Sequence, residues 1–435
     1  MTTLLTGWGR TAPTAAEIAG LDALESPPAR GVIPRGLGRA YGDAAQNAGG
    51  AVIDTSDLAG VSIDVGNVHT GAGVSLGSVI DEVLPHGWFL PVTPGTQHVT
   101  VGGAIASDVH GKNHHREGSI SRWVESVVLA TPSGRATYSA GDEEFAATAG
   151  GMGLTGVIVE ATLRLLPVES AWVSEDIERC SDVDDCMARM AARDDEYRYS
   201  VAWIDCLARG ARLGRSVLMR GDHAPAAALP AGTDPLARKS GLRVPAPPWA
   251  PNGLLRRETV AAFNELYFRR APKHETGRLV PLDPFFYPLD AVPGWNRMYG
   301  SRGFLQYQFV VPFGAEDALR AALERLSGAG VASFLAVLKR FGEGSGMISF
   351  PMPGWTLALD MPAGDPSLGP LLDGLDRLVA DAGGRVYLSK DSRLRPQLVP
   401  QMYPELERWR GVVRRLDPDG VMQSDLSRRL DLVGR

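Results

Sequence analysis

The residues best suited to chemistry in this sequence are grouped in glycine-dense loops. The stretch RGLGRAYGDAAQNAGG at 35–50 holds five glycines and two arginines, Arg35 and Arg39. Glycines let backbone N–H groups approach a ligand closely, and clustered N–H groups bind phosphate oxygens. Two more such stretches follow, GTQHVTVGGAIASDVHG at 95–111 and GGMGLTG at 150–156. Each cluster alone could merely mark a tight turn, but three of them predict loops that converge on one extended ligand carrying a pyrophosphate.

The third glycine stretch contains a formal G-x-G-x-x-G at 151–156. In a dinucleotide-binding Rossmann unit this motif follows a strand and opens a helix. Here it follows DEEFAATA at 142–149, which has the composition of a short helix, and it leads into the β-rich run VIVEATLRL. The context therefore argues against a Rossmann site.

Titratable side chains occur in two further stretches, DVHGKNHH at 108–115 and YLSKDSRL at 387–394. His110, His114 and His115 could suggest a metal site, but no cysteine and no regular ligand spacing accompany them, so we predict no metal. His110 is either near a reacting group or a structural histidine satisfied by hydrogen bonds. Lys390 in a shielded site could stabilise developing negative charge, and with a lowered pKa it could accept a proton; in an exposed site it is an ordinary solvated lysine.

Two amides on one predicted strand are candidates for sugar recognition. Gln306 and Gln308 alternate with Tyr307 in FLQYQFVVP, so both point to the same face of the strand. Amides offer donors and acceptors that suit hydroxyl groups. The alternative is a polar strand face in solvent, but the apolar VVPF that follows favours a buried sheet whose amides face a cavity.

The overall composition excludes several classes of function. Among 435 residues the formal net charge is −6, which argues against a nucleic-acid partner. The cysteines, Cys180, Cys186 and Cys206, fit neither a disulfide framework nor a zinc pattern. The N-terminus lacks the charged and apolar regions of a signal peptide, and no run approaches the ~20 apolar residues of a membrane span. We therefore expect a protein that is soluble or attached peripherally to a membrane.

Short strands mixed with helices predict an α+β protein with two principal domains. We expect a ligand-binding domain at 1–170, a second domain with an antiparallel sheet at 171–380, and a segment at 381–435 that returns to the first domain. The Pro/Ala-rich segment 222–256 and the segment 269–283 are predicted to be mobile loops over an apolar groove.

Long motifs carry a resemblance to a known family. PRGLGRAYGDAAQN, PGTQHVTVGGAIASDVHGKNHH, GGMGLTGVIVEATL, FLQYQFVVP and YLSKDSRL resemble the FAD-linked oxidases of the vanillyl-alcohol-oxidase superfamily, over nearly the whole chain. More narrowly, they resemble the flavin subunits that oxidise decaprenylphosphoryl-β-D-ribose at its 2′-hydroxyl. This resemblance implies a two-part FAD-binding domain with a cap domain that binds the substrate.

The resemblance also implies which residues form the site. Those expected at FAD are Pro34, Arg35, Gly36, Leu37, Gly38, Arg39, Ala40, Tyr41, Gly42, Asp43, Ala44, Gly95, Thr100, Val101, Gly102, Gly103, Ser107, Asp108, Val109, His110, Ile158 and Tyr387. Those expected at the substrate are Trp203, Phe286, Gln306, Gln308, Lys339, Thr356, Ala358 and Lys390, with Lys390 and His110 as the catalytic pair. Many relatives attach the flavin covalently through a histidine where this chain has Arg39, so we predict noncovalent FAD.

The activity implied by the resemblance is the first half of an epimerisation. The 2′-keto product would be reduced by a separate NAD(P)H-dependent short-chain reductase to the arabinose isomer used for cell-wall arabinan. The family also implies contact with the membrane or cell envelope, on the cytoplasmic or the periplasmic face.

This chain departs from the family pattern at three positions: Ser107 and Ala358 each stand where the family has Cys, and Thr356 stands where it has Asn. A related FAD alditol or sugar-alcohol oxidase with a soluble substrate and O2 is therefore an alternative. A flavin-binding scaffold without turnover is a third, against which the presence of Lys390 and His110 argues.

Overall fold

The computed structural model describes residues 2–239, 241, 244–247 and 255–434. Its strands form an N-terminal group and a second group that begins after residue 170. The N-terminal strands are β1 (Thr2–Leu5), β2 (Thr14–Ala19), β3 (Val32–Arg35), β4 (Ala51–Asp54), β5 (Val61–Asp64), β6 (Asn67–Gly71), β7 (Trp88–Phe89), β8 (Val124–Thr131), β9 (Gly134–Ser139), β10 (Val157–Arg164) and β11 (Leu166–Pro167). The second group comprises β12 (Trp172–Cys180), β13 (Tyr199–Ile204), β14 (Ser216–His223), β15 (His274–Pro281), β16 (Phe304–Pro312), β17 (Ala336–Phe341), β18 (Gly354–Pro362) and β19 (Arg385–Val386).

The helices are short in the N-terminal part and longer in the second. They are α1 (Leu76–Val83), α2 (Val101–Ala106), α3 (His114–Glu117), α4 (Glu143–Thr148), α5 (Val183–Arg193), α6 (Arg257–Arg270), α7 (Leu282–Phe286), α8 (Glu316–Ala329), α9 (Leu368–Asp381), α10 (Val399–Met402), α11 (Leu406–Leu416) and α12 (Asp425–Arg429). Single 3-10 turns lie at Leu21–Leu24, Leu84–His86, Ile120–Trp123, Asp194–Glu196, Gly210–Arg212, Ala226–Ala228, Pro288–Ala291, Trp295–Tyr299 and Pro396–Leu398.

Two sheets build the N-terminal part. The first has the order β1-β2-β4-β3, in which β4 runs parallel to both of its neighbours. The second is antiparallel with the order β5-β6-β10-β8-β9, and β7 pairs with β11 beside it. Thr100 caps α2 by accepting a hydrogen bond from the Gly103 N–H (3.2 Å), and the apolar face of this helix packs on β10. This cap fixes the start of α2 next to the first glycine loop.

The second part is built on one antiparallel sheet of eight described strands, with the order β15-β12-β14-β13-β17-β18-β16-β19. Side chains alternate between its faces. Tyr307 and Phe309 of β16 point to the core shared with α8 and α9, and the intervening Gln306 and Gln308 point to the opposite face. That opposite face is the floor of the cavity described below.

The predicted α+β class is confirmed by this architecture. The stretch DEEFAATA forms the expected short helix, α4, and the β-rich run VIVEATLRL forms the strand β10. The G-x-G-x-x-G stretch lies between α4 and β10, in the helix-to-strand order that the sequence indicated.

Other expectations need correction. The segment 269–283, predicted as a loop, is mostly β15, because His274–Pro281 pairs along β12 as an edge strand. Residues 222 and 223 of the segment 222–256 belong to β14; residues 240, 242–243 and 248–254 of that segment lie outside the described residues. In the β-rich stretch RVYLSK at 385–390 the strand ends at Val386, since the N–H groups of Lys390 and Asp391 both donate to Tyr387 O and close a turn.

The C-terminal segment packs against the N-terminal sheets. Met422 bridges to Val32, Arg429 pairs with Asp43 (2.8 Å), and the Trp409 indole donates to Ala147 O (2.9 Å). Among the described helices, none combines the length and the apolar character needed to cross a lipid bilayer. The mobility of the two predicted loops and the domain limits stay predictions.

Candidate active site

A cavity of ≈ 530 Å³ separates the glycine loops of the N-terminal part from the polar face of the eight-stranded sheet. Both halves of the chain contribute to its wall. From the N-terminal part come residues 34–41, the start and end of α2, and Gly153. From the second part come side chains of every strand from β12 to β18, together with Lys390 of the turn after β19.

The first glycine loop presents unused backbone donors to this cavity. Among the described residues, no acceptor is found for the N–H groups of residues 36 to 40, whereas the Tyr41 N–H donates to Ser389 O (3.0 Å). Gly38 has φ +62°, in the left-handed region that favours glycine. A Cβ on Gly36 would lie 2.7 Å from Thr100 Cγ2, so only glycine fits against the α2 cap. A run of free, converging amides of this kind binds anionic oxygens.

The two arginines of the loop have different roles. Arg35 donates to Ala45 O (2.9 Å) and Thr6 O (2.7 Å), which fixes the loop to its surroundings. Arg39 stacks on Trp8, with its guanidinium carbon 3.9 Å from the ring centroid, and its Nε is buried without a partner in the described structure. Burial lowers the pKa of both arginines from the usual value, although nearby carboxylates oppose the effect. Arg39 therefore carries the loop's positive charge into the cavity.

The other glycine clusters allow close packing. The N–H groups of Val101 and Gly102 are occupied by Val74 O and Ala72 O (2.9 Å each), so the start of α2 offers few free donors. A Cβ on Gly102 would come within 3.0 Å of Ala72 Cβ, and one on Gly153 within 2.9 Å of Pro34 Cγ. A Cβ on Gly95 would meet nothing within 4 Å. These glycines bring backbone to the cavity surface and keep side chains out of it.

Most residues predicted to bind the cofactor line the cavity. They are Pro34, Arg35, Gly36, Leu37, Gly38, Arg39, Ala40, Tyr41, Ala44, Gly95, Thr100, Gly102, Gly103, Ser107, Val109, His110, Ile158 and Tyr387. The structure does not bring Gly42, Asp43, Val101 or Asp108 to the cavity surface. Gly42 packs against the Asp391 carbonyl and Asp43 pairs with Arg429. Val101 is in the core, and Asp108 is buried, where it accepts from Ser345 and Ser349.

His110 is held as a neutral ring in an aromatic enclosure. Its ring centroid lies 4.8 Å from that of Phe341 and 5.3 Å from that of Tyr387. Burial first, and then the nearby lysines, hold its pKa well below the usual value. Its Nε2 accepts from Gln308 Nε2 (2.9 Å), because an amide nitrogen can only donate, so the ring proton is on Nδ1. That Nδ1 is buried with no partner in the described residues and is available as a donor to a ligand.

Lys390 is enclosed by the first glycine loop and the amide-bearing strands. Its Nζ lies 3.8 Å from the centroid of the Tyr41 ring, a cation–π distance. Burial lowers the pKa of Lys390, the Asp360 carboxylate opposes this change, and Lys339 reinforces it. Burial also raises the pKa of Asp360, whose Oδ1 accepts from Gln306 Nε2. Lys390 is therefore a shielded amine that can change its protonation state near neutral pH.

The amides and their neighbours form the polar floor of the cavity. Gln308 uses both of its N–H groups, for His110 and for Thr356 Oγ1 (3.2 Å), so its amide oxygen is the atom it can offer to a ligand. Thr356, predicted at the substrate, lies behind Gln308, donates to Phe309 O (2.8 Å) and does not reach the cavity surface. Ala358, also predicted at the substrate, does line the cavity. The other predicted substrate residues, Trp203, Phe286, Gln306, Lys339 and Lys390, line the cavity.

Two residues of this site were not singled out from the sequence. Asp360 is the charged residue within the apolar strand GWTLALDMP, which was a usable signal for a functional carboxylate. Lys112 follows His110 by two residues, lines the cavity and lies over the Phe285 ring, with Nζ 4.0 Å from the centroid. Its role could not be read from GKNHH, because the ring that it meets is 173 residues away in sequence.

His114 and His115 each bond to protein groups. His114 Nε2 lies 3.1 Å from Ser119 Oγ, and His115 Nε2 donates to the carbonyls of Asp194 and Tyr197 (3.0 Å each). In the described parts of the chain, no three histidine, cysteine or acidic side chains are grouped so as to hold a metal ion. His115 thereby connects α3 to the turn before β13, and the Gly342 N–H, which follows β17, donates to His114 Nδ1 (3.2 Å).

Comparison with known families and proteins adds four relationships. The family model for an FAD binding domain matches residues 26–138. Decaprenylphosphoryl-β-D-ribose oxidase of Mycolicibacterium smegmatis is 41% identical over 450 residues, which cover 99% of this chain and 97% of that protein. A Streptomyces coelicolor protein described only as uncharacterized is 43% identical over 82% of this chain. D-lactate dehydrogenase of Archaeoglobus fulgidus is 31% identical over 147 residues, about a third of each chain.

Proposed function

Since the chain belongs to the family of decaprenylphosphoryl-β-D-ribose oxidases, we propose that it oxidises the 2′-hydroxyl of decaprenylphosphoryl-β-D-ribose to the ketone. It is an FAD-dependent oxidoreductase. The observation that carries the substrate proposal is the joining, in one cavity, of free loop amides, a shielded lysine and two strand amides. The alternative, a soluble alditol with O2, is not favoured, because a relative that matches nearly the full length of this chain is named for the ribosyl lipid.

The residues present fit FAD. The free amides of residues 36 to 40 would hold its pyrophosphate, and Arg39 adds charge from the same loop. The open space beside Gly95 and the unpartnered His110 Nδ1 fit a polar, flat ligand that extends towards the sheet. When bound, FAD supplies the acceptor for the hydride that leaves the carbinol carbon.

Lys390 takes the hydroxyl proton in this proposal. A neutral amine can accept that proton, and the ammonium so formed then places a positive charge in a site shielded from water. The pKa of Lys390, lowered chiefly by burial, makes the neutral form accessible near physiological pH. His110 acts as a donor through Nδ1, and its Nε2 keeps the Gln308 amide oriented so that the amide oxygen accepts from the sugar.

The rate should therefore rise with pH as Lys390 loses its proton. Replacing Asp360 with Asn removes a carboxylate that raises the pKa of Lys390, so we expect the acidic limb of the pH profile to move to lower pH, on the order of one pH unit. Replacing Lys339 with Met removes a cation that lowers this pKa, so the limb should move the opposite way. The measurement is the rate of anaerobic flavin bleaching from about pH 5 to 10. Shifts in the same direction for both variants would exclude Lys390 as the group that titrates.

The FAD is bound noncovalently in this proposal. Arg39 stands at the loop position where many relatives attach flavin through histidine, and a guanidinium cannot form that bond. We expect acid precipitation to leave a colourless polypeptide and to release all of the flavin as intact FAD, measured by absorbance and mass spectrometry. Yellow colour that stays on the denatured chain would contradict this prediction.

The substrate is a lipid, so we propose contact with a membrane surface. Helix α6 exposes Phe263 and Leu266, 44% and 50% accessible, and ends in Arg269 and Arg270. An apolar strip flanked by arginines suits a bilayer with anionic headgroups. In the same proposal a separate NAD(P)H-dependent short-chain reductase consumes the ketone to give the arabinose isomer for cell-wall arabinan.

The test is anaerobic reduction of the bound flavin by different substrates. Farnesylphosphoryl-β-D-ribose, a short-chain version of the ribosyl lipid, should bleach the flavin band within a single turnover, and free alditols at the same concentration should leave it unchanged. Bleaching by alditols but not by the prenylphosphoryl sugar would establish the alternative oxidase.

A further inference from the structure

The side chains on the cavity floor change from amides to a lysine to apolar residues from one strand of the sheet to the next. Gln306 and Gln308 lie on β16, Ala358 on the neighbouring β18, and Lys339 on the next strand, β17. Beyond β17 come β13 and β14, whose cavity-facing residues Val201, Trp203 and Met219 are apolar. Adjacent strands are about 4.8 Å apart, so the series from the amides on β16 to the apolar side chains on β13 and β14 spans roughly 14–19 Å.

Two lysines line the cavity near the middle of this series, Lys339 on β17 and Lys112 in the loop after His110. Lys339 Nζ donates to Gly111 O (3.4 Å), and Lys112 Nζ donates to Phe285 O; in the described residues neither forms a salt bridge. Glu175, the carboxylate that acts on Lys112, is itself paired with Arg278 (2.6 Å). Burial and the charge of Lys112 lower the pKa of Lys339 to about 7, and burial lowers the pKa of Lys112 to about 8.

Two buried ammonium groups that repel each other are costly unless an anion joins them. The nearby carbonyls can accept hydrogen bonds but carry no full charge. A single negative charge between the two lysines would relieve the repulsion and would receive charge-assisted hydrogen bonds from both.

We propose that Lys112 and Lys339 form the binding site for the phosphodiester of the substrate, with the sugar on the amide side and the first isoprene units over Val201 and Met219. The inference rests on the proposed function and extends it to the phosphate. The floor presents amides, then lysines, then apolar side chains, and the substrate has a sugar, then a phosphate, then a hydrocarbon chain. The two series therefore match in order.

Arg39 is another cation of the cavity wall that could take the phosphate. Its guanidinium stacks on Trp8 and belongs to the first glycine loop, whose free amides fit the cofactor's own phosphates. The lysine pair lies on the sheet and in the loop after His110, so a phosphate there stays on the substrate side of the cavity.

The experiment compares a charged and a neutral ligand. Farnesylphosphoryl-β-D-ribose and farnesyl β-D-riboside, which lacks the phosphate, are each titrated in anaerobic stopped-flow reduction of the FAD-loaded enzyme. The ratio of their apparent Kd values measures the preference for phosphate. We expect Lys112→Gln and Lys339→Gln each to lower this ratio by at least about tenfold, because a hydrogen bond to a charged group contributes roughly 1.5–3 kcal/mol. Lys112→Arg and Lys339→Arg should retain most of the ratio.

Arg39→Met and the exposed Lys273→Met serve as comparisons, and both should keep the wild-type ratio. FAD content and thermal unfolding identify variants that fail to fold. Where a Gln variant fails to fold, the Kd ratio of the corresponding Arg variant is the test of the phosphate site. The proposed phosphate site would be overturned if folded Lys112→Gln and Lys339→Gln variants kept the wild-type ratio of Kd values. It would also be overturned if only Arg39→Met lost that ratio. If the wild-type enzyme is bleached by neither riboside, the proposed function itself fails, which is a different result.

Discussion

Replacing Lys390 with Met is expected to slow flavin reduction roughly a thousandfold while FAD stays bound. General base catalysis contributes about 10²–10⁴ and electrostatic stabilisation in a shielded site about 10²–10³. Lys390 supplies both through one amine in this proposal. The side chain lies against Tyr41 and close to Asp360, so Met fills the volume and removes only the amine. The measurement is the limiting rate of anaerobic bleaching by farnesylphosphoryl-β-D-ribose.

The control is Lys273→Met, an exposed lysine outside the cavity lining, which should react like the wild type. A Lys390→Met enzyme with full FAD occupancy and a rate within about threefold of the wild type would remove Lys390 from the chemistry. The proton would then need another acceptor. His110 is poorly suited to that role, because its Nε2 is already occupied by Gln308.

Replacing Gly36 with Ala is expected to weaken FAD binding by on the order of a hundredfold or more. The added methyl would lie 2.7 Å from Thr100 Cγ2 and closer still to Oγ1, so the loop must move away from the start of α2. Such a shift misplaces the amides of residues 36 to 40, and each hydrogen bond to a charged group contributes about 1.5–3 kcal/mol. The measurement is the Kd for FAD from titration of the apoprotein.

Gly411→Ala is the matched control, because a Cβ on Gly411 in α11 meets nothing within 4 Å. It should bind FAD like the wild type, and circular dichroism should show that both variants fold. Wild-type FAD affinity in a folded Gly36→Ala protein would mean that the first glycine loop does not hold the cofactor.

Much of the fold follows from local patterns in the sequence. The helix at 76–83 has apolar residues at helical spacing and a serine cap, and β16 shows the strict alternation that puts Gln306 and Gln308 on one face. FAD as the cofactor was implied by long motifs, and the match of a family model to residues 26–138 confirms it. These features depend on residues close together in the chain.

The remaining features depend on residues brought together from far apart. The glycines at 102 and 103 looked like free phosphate donors, but the Val101 and Gly102 amides are occupied by residues 72 and 74, and Gly103 donates to the Thr100 side chain. The segment 269–283 was predicted to be a loop, whereas His274–Pro281 forms an edge strand along β12, which lies far away in the sequence. The electrostatic influence of Asp360 on Lys390, and of Lys112 on Lys339, arises only when β17, β18 and the turn at 387–390 close around the cavity.

The most direct test of the account is a single anaerobic turnover with product analysis. Purified protein is mixed with one equivalent of farnesylphosphoryl-β-D-ribose, and the flavin absorbance and the mass of the sugar lipid are followed together. We expect the yellow band to be lost and an equal amount of product to form, lighter by two hydrogens and with the new carbonyl at C2′. Colourless protein that takes up no FAD, or a yellow protein that leaves this sugar lipid unchanged, would contradict it.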